Sequence, residues 1–278
     1  MIVQNLSNIA FDELLNCFFN AFENYYVKMP TDRDYYKERW KAAKVDFNYS
    51  YGMFDKGKLV GFIIHAIDKR EGTLTAFNTG TGVLPEYRGK RIIHSIYKYA
   101  IKDLEQNGIM KIKLEVITEN TIAIRTYKAI GFEICKNFKC FHGAILPKIL
   151  EQVKIKEIES NDVRWEEIPN QELYSWDNQK ESLLNGIYNY FQVLNTNNEP
   201  ESFFIIKSDS GYLAQLDLLN TKGTDSWERL FSAIKQISTT IKINNVDDRL
   251  KEKINQLMSI GLDNKINQYE MELKIKRG

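Results

Sequence analysis

Apolar side chains at Phe11, Leu14, Leu15, Phe18, Phe19 and Phe22 recur at helical spacing and predict an amphipathic helix over Phe11–Tyr25. A second helix is expected from a Thr31 or Asp32 cap through Tyr35, Tyr36 and Trp40. The period then changes. Tyr51–Phe54 and Lys58–Ile67 flank Lys56-Gly57 and read as a hairpin. Thr73–Val83, rich in Thr and Gly and stopped by Pro85, reads as another strand. Ile92, Ile93, Ile96, Tyr97, Ala100, Ile101 and Leu104 mark one face of a helix that Asn107-Gly108 closes. Ile112, Leu114 and Val116 alternate with Lys111, Lys113 and Glu115, the signature of a strand with one buried face. A short helix from about Asn120 carries Ala123, Tyr127 and Ile130 on one side and ends at Gly131; Phe132–Ala144 returns as extended chain.

Two helices, three strands, then helix, strand, helix, strand describe a mixed α/β (α+β) sandwich with a twisted sheet between helices. The charged stretch Pro147–Lys156 marks an expected boundary, giving domains 1–148 and 149–278. Beyond it the pattern recurs. Phe203–Ile206 and Gly211–Leu219 suggest a hairpin, Trp227 to Ile234 a helix, Ile241–Val246 a strand, and Leu250, Ile254 and Leu257 a final helix. Its end, Ser259-Ile260-Gly261-Leu262, echoes Ala129-Ile130-Gly131-Phe132. The shared element order favours duplication of one fold over chance.

The chain of 278 residues, 43% hydrophobic with 15 Tyr, 15 Phe and 4 Trp, can bury a core in each half. Its 38 basic and 37 acidic residues leave a formal charge of +1, without the basic surplus expected of a nucleic-acid binder. The longest apolar stretch, Leu59–Ile67, is broken by Gly61 and His65 and is far short of the roughly 20 residues of a membrane span. The opening Met-Ile-Val-Gln-Asn lacks signal-peptide character. Cys17, Cys135 and Cys140 form no paired framework, and His65, His94 and His142 show no zinc spacing. Reduced thiols, a cytoplasmic location and no metal are the expectation.

The chemistry concentrates in two segments. In Thr81-Gly82-Val83-Leu84-Pro85-Glu86-Tyr87-Arg88-Gly89-Lys90-Arg91-Ile92-Ile93-His94 a strand ends, proline stops pairing and a basic turn enters a helix. Unpaired amides and the helix dipole make such a start an anion site, with a diphosphate as the natural guest. Taken alone it is equally an ordinary strand-to-helix turn. The second segment, Asn120-Thr121-Ile122-Ala123-Ile124-Arg125-Thr126-Tyr127-Lys128-Ala129-Ile130-Gly131-Phe132, decides between them. Together they resemble the GNAT superfamily of acyl-CoA-dependent N-acyltransferases, through its Val-x-Pro-x-Tyr-Arg-Gly and Asn-x-x-Ala-x-x-x-Tyr-x-x-x-Gly-Phe elements. The resemblance covers Ile2–Leu146 clearly, and the second half looks like a degenerate copy.

The resemblance implies acetyl-CoA as co-substrate and a small-molecule or peptide amine as acceptor. Backbone groups of Arg88, Gly89, Lys90, Arg91, Ile92, Ile93 and His94 would hold the CoA diphosphate. Val83 would pair with the pantetheine arm and face the thioester oxygen, Asn120 would contact the cofactor near its acyl end, and Tyr127 would protonate the departing thiolate. Two departures stand out: family members usually carry Gly where Arg91 stands, and Gly or Ala where Ile93 stands. The expectation adopted is that position 91 is already helical, so that Arg91 is unstrained. The general base is unassigned; Glu115 and His65 are candidates, though a solvated strand residue and a satisfied core histidine explain them more cheaply. Tyr25, Tyr26, Tyr35, Tyr36 and Trp40, among Glu23, Asp32, Asp34 and Glu38, could form an acceptor pocket for a cationic amine. Packed helix faces explain these too. The second half has Thr221-Lys222-Gly223-Thr224-Asp225-Ser226 in place of the basic turn and Leu257 in place of the tyrosine, so it is expected to bind no CoA. A catalytically silent CoA sensor and an aminoacyl-tRNA-dependent transferase are the competing readings.

Overall fold

Ahead of the first expected helix lies a short strand that the pattern does not announce, β1 (Ile2–Asn5). Next comes α1 (Phe11–Phe22), which buries Leu14, Leu15 and Phe18 and carries Asp12 and Glu13 where the helix dipole favours them. The cap expected at Asp32 forms: its carboxylate accepts from the Asp34 N–H at 2.9 Å and opens α2 (Arg33–Ala43). The hairpin of β2 (Tyr51–Asp55) and β3 (Lys58–Arg70) turns at Lys56 and Gly57, with φ of 49° and 84°, the handedness a two-residue hairpin loop needs. There follow β4 (Thr73–Val83), α3 (Ile92–Gln106), β5 (Lys111–Ile117), α4 (Thr121–Ile130) and β6 (Glu133–Ala144).

The computed structural model describes residues 1–146, 153–219 and 225–275, so most of the expected boundary at Pro147–Lys156 lies outside the described residues. After it come β7 (Ile155–Ile158), a run of 3-10 turns, the short α5 (Lys180–Leu183), then β8 (Asn189–Leu194), β9 (Pro200–Lys207) and β10 (Tyr212–Leu218). The chain closes with α6 (Ser226–Ile237), β11 (Thr240–Asp247), α7 (Lys251–Ser259) and β12 (Asp263–Lys274). Strands, helices and their order repeat between the halves, with 3-10 turns standing where the first half has α1 and α2.

The chain divides into one unit of residues 1–135 with 269–278 and another of residues 136–268. Each half thus lends its last strand to the other, a division that a cut at residue 148 does not anticipate. In the first unit the strand order is β1-β2-β3-β4-β5-β12, where Lys111 pairs with Glu272 at 3.2 Å and Lys113 with Glu270 at 3.3 Å. In the second it is β6-β11-β10-β9-β8-β7. Hairpin neighbours run antiparallel, whereas β4–β5 and β10–β11 run parallel, so the sheet is mixed and carries helices on its faces. In the first unit Phe18 of α1 stacks on Phe62 of β3 at 5.8 Å, while Tyr97 of α3 meets Phe132 at 5.3 Å. Met271 and Ile275, from the end of the chain, complete that core. Full burial of such side chains stabilises by roughly 1.5–3 kcal/mol each.

Candidate functional site

The site is built on β4. This strand pairs with β5 only over Thr75–Asn78 and Lys111–Leu114, then follows β3 as far as Val83. Beyond Asn78 the parallel neighbours part and a gap opens. A bulge accompanies the parting: His65 faces Asn78 and Ile64 faces Gly80, which leaves Thr79 as the extra residue. Register then decides which groups face the gap. The Leu84 N–H donates to the Val60 carbonyl at 3.0 Å, so Gly61–Val83 and Ile63–Thr81 are non-hydrogen-bonded pairs of the β3–β4 ladder. The backbone N–H and C=O groups of Thr81 and Val83 therefore point away from β3, along the open edge. Val83 stands where the sequence expects it, and its carbonyl takes a long hydrogen bond from Arg88 Nε at 3.4 Å.

After Val83 a 3-10 turn over Pro85–Tyr87 leads to Arg88, whose N–H is already used by the Pro85 carbonyl at 3.2 Å. The free run starts one residue later. Among the described residues, the amides of Gly89, Lys90, Arg91, Ile92, Ile93 and His94 find no protein acceptor, and α3 has no side-chain cap. The expectation for Arg91 is corrected here: it is not helical but left-handed, with φ 55° and ψ 29°. The chain arrives extended at Arg88 (φ −63°, ψ 157°) and must turn twice, at Gly89 (φ 78°) and at Arg91, to enter α3. Such alternation aims consecutive amides into one concavity, a nest for an anion. An L-residue in that conformation costs roughly 1–2 kcal/mol, so replacing the usual Gly does carry strain. The Arg88 guanidinium also has a structural task, since its Nη2 donates to the Ala21 carbonyl of α1 at 3.0 Å. Lys90 Nζ lies 4.5 Å from the centre of the Tyr87 ring, and Ile93 is half-buried against the core.

Tyr127 sits on α4 with its ring against Tyr97 and Phe132, at 6.3 and 5.7 Å. Its hydroxyl meets Thr81 and Asn78 of β4, beside the gap. Burial pushes the phenol up to about 12, with the nearby polar side chains of Thr81 and Asn78 acting the other way. Asn78 is itself buried and fully engaged: its Nδ2 donates to Thr81 Oγ1 at 2.6 Å and to the Tyr97 hydroxyl at 2.7 Å, and its Oδ1 accepts from the Gly80 N–H at 3.1 Å. Asn120 caps α4, accepting from the Ala123 N–H at 3.2 Å; burial raises the Tyr25 phenol, and the polar Asn120 side chain acts the other way.

Residues 10–132 match the acetyltransferase (GNAT) family. An uncharacterized N-acetyltransferase of Methanocaldococcus jannaschii is 30% identical in an alignment 141 residues long that covers 47% of this chain and 60% of that relative's length. Among solved structures, a tandem GNAT protein from the clavulanic acid biosynthesis pathway superposes with a TM-score of 0.73 at 11% identity, over 100% of both chains. The whole chain has the fold of a tandem GNAT protein. A putative acetyltransferase from Pyrococcus horikoshii matches with a TM-score of 0.68 at 14% identity, over 99% of this chain and 89% of that one. At such identities the structural likeness is one of fold.

The other candidate residues of the first unit are placed on structural grounds. His65 is sealed in the core, its Nδ1 2.7 Å from the Tyr49 carbonyl and its Nε2 without a partner. Burial depresses it to about 4, which suits a core histidine better than a base open to an amine. Glu115 lies on β5 past the last β4–β5 pair, on the face opposite Leu114 and Val116. Tyr36 and Trp40 are core residues, whereas Tyr25 is half-buried and Tyr26 exposed on the loop after α1. The Tyr26 hydroxyl donates to the Glu119 carbonyl at 3.3 Å, holding that loop at the start of α4. Among the described residues no cluster could hold a metal ion, and no helix is long and apolar enough to cross a membrane.

The second unit keeps the frame and fills the gap. Only Tyr212 and Lys242 pair between β10 and β11, and a bulge leaves Ala214 as the extra residue, as Thr79 is in the first unit. Asp225 enters α6 with φ 64°, matching Arg91; residues 221–224 of the turn lie outside the described residues. The parted strands are bridged from within the unit. The Tyr174 hydroxyl donates to the Leu216 carbonyl at 3.2 Å, and Asn178 receives the Tyr212 hydroxyl at 2.8 Å while donating to the Asn244 carbonyl at 3.3 Å. Gln215 donates to the Asn178 carbonyl at 2.6 Å, and Lys253 pairs with Asp217 at 2.8 Å inside the fold.

Sequence reasoning gives no site role to Asn78, Thr81 or Tyr97. A signal for the first was present: asparagine is a poor strand former, so one at the middle of an apolar strand asks for a reason.

Proposed function

We propose that the first unit transfers the acetyl group of acetyl-CoA to a primary amine of a small molecule or peptide by direct attack. The observation that carries this reading is the free amide run of Gly89–His94 beside a gap whose edge presents the Thr81 and Val83 backbone, with the Tyr127 hydroxyl at its side. That chemistry fits the co-substrate. Amides at a helix start suit a diphosphate, and an open strand edge suits the amides of a pantetheine arm. The expected cofactor contact of Asn120 is compatible with its place at the first turn of α4.

In the reaction the neutral amine attacks the thioester carbon. Negative charge builds on the carbonyl oxygen, where the Val83 N–H is placed to receive it; one such donor is worth roughly 3 kcal/mol in a transition state. The carbon–sulfur bond breaks, its electron pair leaves on sulfur, and Tyr127 supplies the proton as general acid. The amine's surplus proton goes to water, and Tyr127 takes a proton back from water to complete the cycle. The second unit, with its gap spanned by its own side chains, takes no co-substrate on this reading.

Thiol release from acetyl-CoA with a panel of small amines and peptides tests the proposal, with mass spectrometry of the acceptors. Matched release of free CoA and acetylated amine is the expected result. Acetyl-CoA binding without turnover on any amine would favour a silent sensor, and salt-sensitive tRNA binding would favour an aminoacyl transferase.

A further inference from the structure

In the second unit, where 3-10 turns stand in place of α1 and α2, a pocket lies between those turns and strands β7, β8 and β9. Register assembles its floor. Tyr190 of β8 pairs with Ile158 of β7 on one side and Ile205 of β9 on the other, and Gln192 pairs with Phe203, so these side chains share one face of the sheet. Val163 of the turns packs over them. The pocket is half-open and holds about 410 Å³ of unfilled space counted out to its mouth, so a side chain enters while the groups that carry it stay at the rim.

Three polar groups converge on these apolar walls, the pattern of a small-molecule site. The Gln192 carboxamide has no hydrogen-bond partner among the described residues. At the rim Arg164 Nη1 meets Glu167 Oε1 at 2.7 Å, with the two side chains 64% and 48% exposed. So exposed a pair adds little to the fold, and exchanging it for a ligand's charges costs little. Its two signs also select. A carboxylate alone would meet Glu167, and an amine alone would meet Arg164; a zwitterion answers both.

We propose that this pocket binds a free α-amino acid with an apolar side chain, its carboxylate on Arg164, its ammonium on Glu167 and its side chain against Phe203 and Ile205. An α-amino acid carries both charges on one carbon, which matches two rim groups that touch each other. Gln192, with a donor and an acceptor, serves either charge. The site lies within the second unit and stands whether or not the first unit transfers an acetyl group.

Titration of the full chain with L-leucine, followed through the methyl resonances of Ile158 and Ile205, tests this. Saturable shifts of both methyls are expected, and glycine should leave them unmoved. Isocaproate, which lacks the ammonium, and isoamylamine, which lacks the carboxylate, should each bind about fivefold more weakly, the worth of one exposed charge contact. Arg164→Gln and Glu167→Gln change exposed side chains and should leave stability unaltered. Each should weaken leucine about fivefold, with isoamylamine no weaker on Arg164→Gln and isocaproate no weaker on Glu167→Gln. Val163→Phe fills the pocket from a half-buried position and should abolish the shifts. Unmoved methyls, or leucine affinity unchanged in both charge variants, would overturn the proposal. Isocaproate binding as tightly as leucine would overturn it too, leaving an apolar cleft without recognition of a zwitterion. Leucine held elsewhere, as an acceptor amine in the first unit would be, leaves the two methyls still and survives Val163→Phe, and that result also counts against this pocket.

Discussion

Arg91 separates charge from backbone strain at the turn, and a two-variant series reads both. Its left-handed φ of 55° costs an arginine roughly 1–2 kcal/mol that glycine does not incur. Arg91→Gly removes that strain, but glycine loses about 0.5–1 kcal/mol more conformational entropy on folding, so global stability should stay within about 1 kcal/mol of wild type. The amides that carry the proposed phosphate site survive both changes, because they belong to the backbone. The side chain is exposed, so its attraction for a phosphate charge at contact is about 1 kcal/mol in water. Arg91→Gly should therefore weaken acetyl-CoA binding about fivefold. Arg91→Glu turns that attraction into repulsion, a swing of about 2 kcal/mol or roughly thirtyfold, with the strain retained. Titration calorimetry at low ionic strength measures this, and at about 0.5 M salt, where charges are screened within a few ångströms, most of the difference should vanish. Unchanged affinity in Arg91→Glu at low salt would remove the turn from the phosphate site. A loss that persists in high salt would point to a distorted turn instead of charge.

Three further outcomes follow from the same geometry. With burial holding the Tyr127 hydroxyl up to about 12, the proposed acid stays protonated through the working range, so kcat/KM should rise with deprotonation of the acceptor amine and show no alkaline fall below about pH 10; a falling limb near pH 8 to 9 would indicate a different acid. His65 is depressed to about 4 in the fold against about 6.5 unfolded, so its neutral form stabilises the protein above pH 6.5 and that contribution is lost as pH falls toward 4. Between pH 7 and pH 5 the loss should be about 2 kcal/mol in urea unfolding, and His65→Asn should lack it. In the second unit, Lys253→Ala strands the Asp217 carboxylate and should lower stability by about 3–5 kcal/mol, while the apolar pair Lys253→Met with Asp217→Leu recovers much of it.

The sequence made the site's elements legible because each carries a local signal. Lys56-Gly57, Asp32, Asn107-Gly108 and Gly131 are turn and cap residues whose conformations depend on their own chemistry, and all stand where expected. Val83 ends β4, the basic turn leads from it into α3, and Tyr127 lies on α4. What stayed hidden is set by distant pairing. Which of β6 and β12 stands beside β5 is a pairing between segments far apart in sequence, and nothing in either strand's alternation says which neighbour it takes. The φ of Arg91 is fixed by the angle between the end of β4 and the start of α3, against the preference of its own side chain. The bulge at Thr79 is equally silent in sequence, yet it decides that Asn78 and Thr81 share a face.

The two units pose the same frame with opposite outcomes, and the difference traces to a few side chains. Counting from the bulges, Gly80 and Gly82 of β4 correspond to Gln215 and Asp217 of β10. The glycines present no side chain, and a Cβ on Gly82 would lie 2.6 Å from the Phe62 ring and 2.7 Å from Ala21, so the first unit's packing holds that strand bare. Gln215 and Asp217 do the reverse. They reach Gln171, Asn178, Asn170 and Lys253 and fasten the segment before α5 to the parted strands. Lys253, counted back from Gly261, stands where α4 has Ala123, and Leu257 where it has Tyr127. Opening the second gap would leave the Asp217–Lys253 pair without its surrounding partners, a cost of several kcal/mol that a bound acetyl group has no means to offset. Calorimetry should accordingly find one acetyl-CoA per chain, and a second equivalent, with a site abolished by changes at Asp217 or Lys253, would show that the filled gap opens.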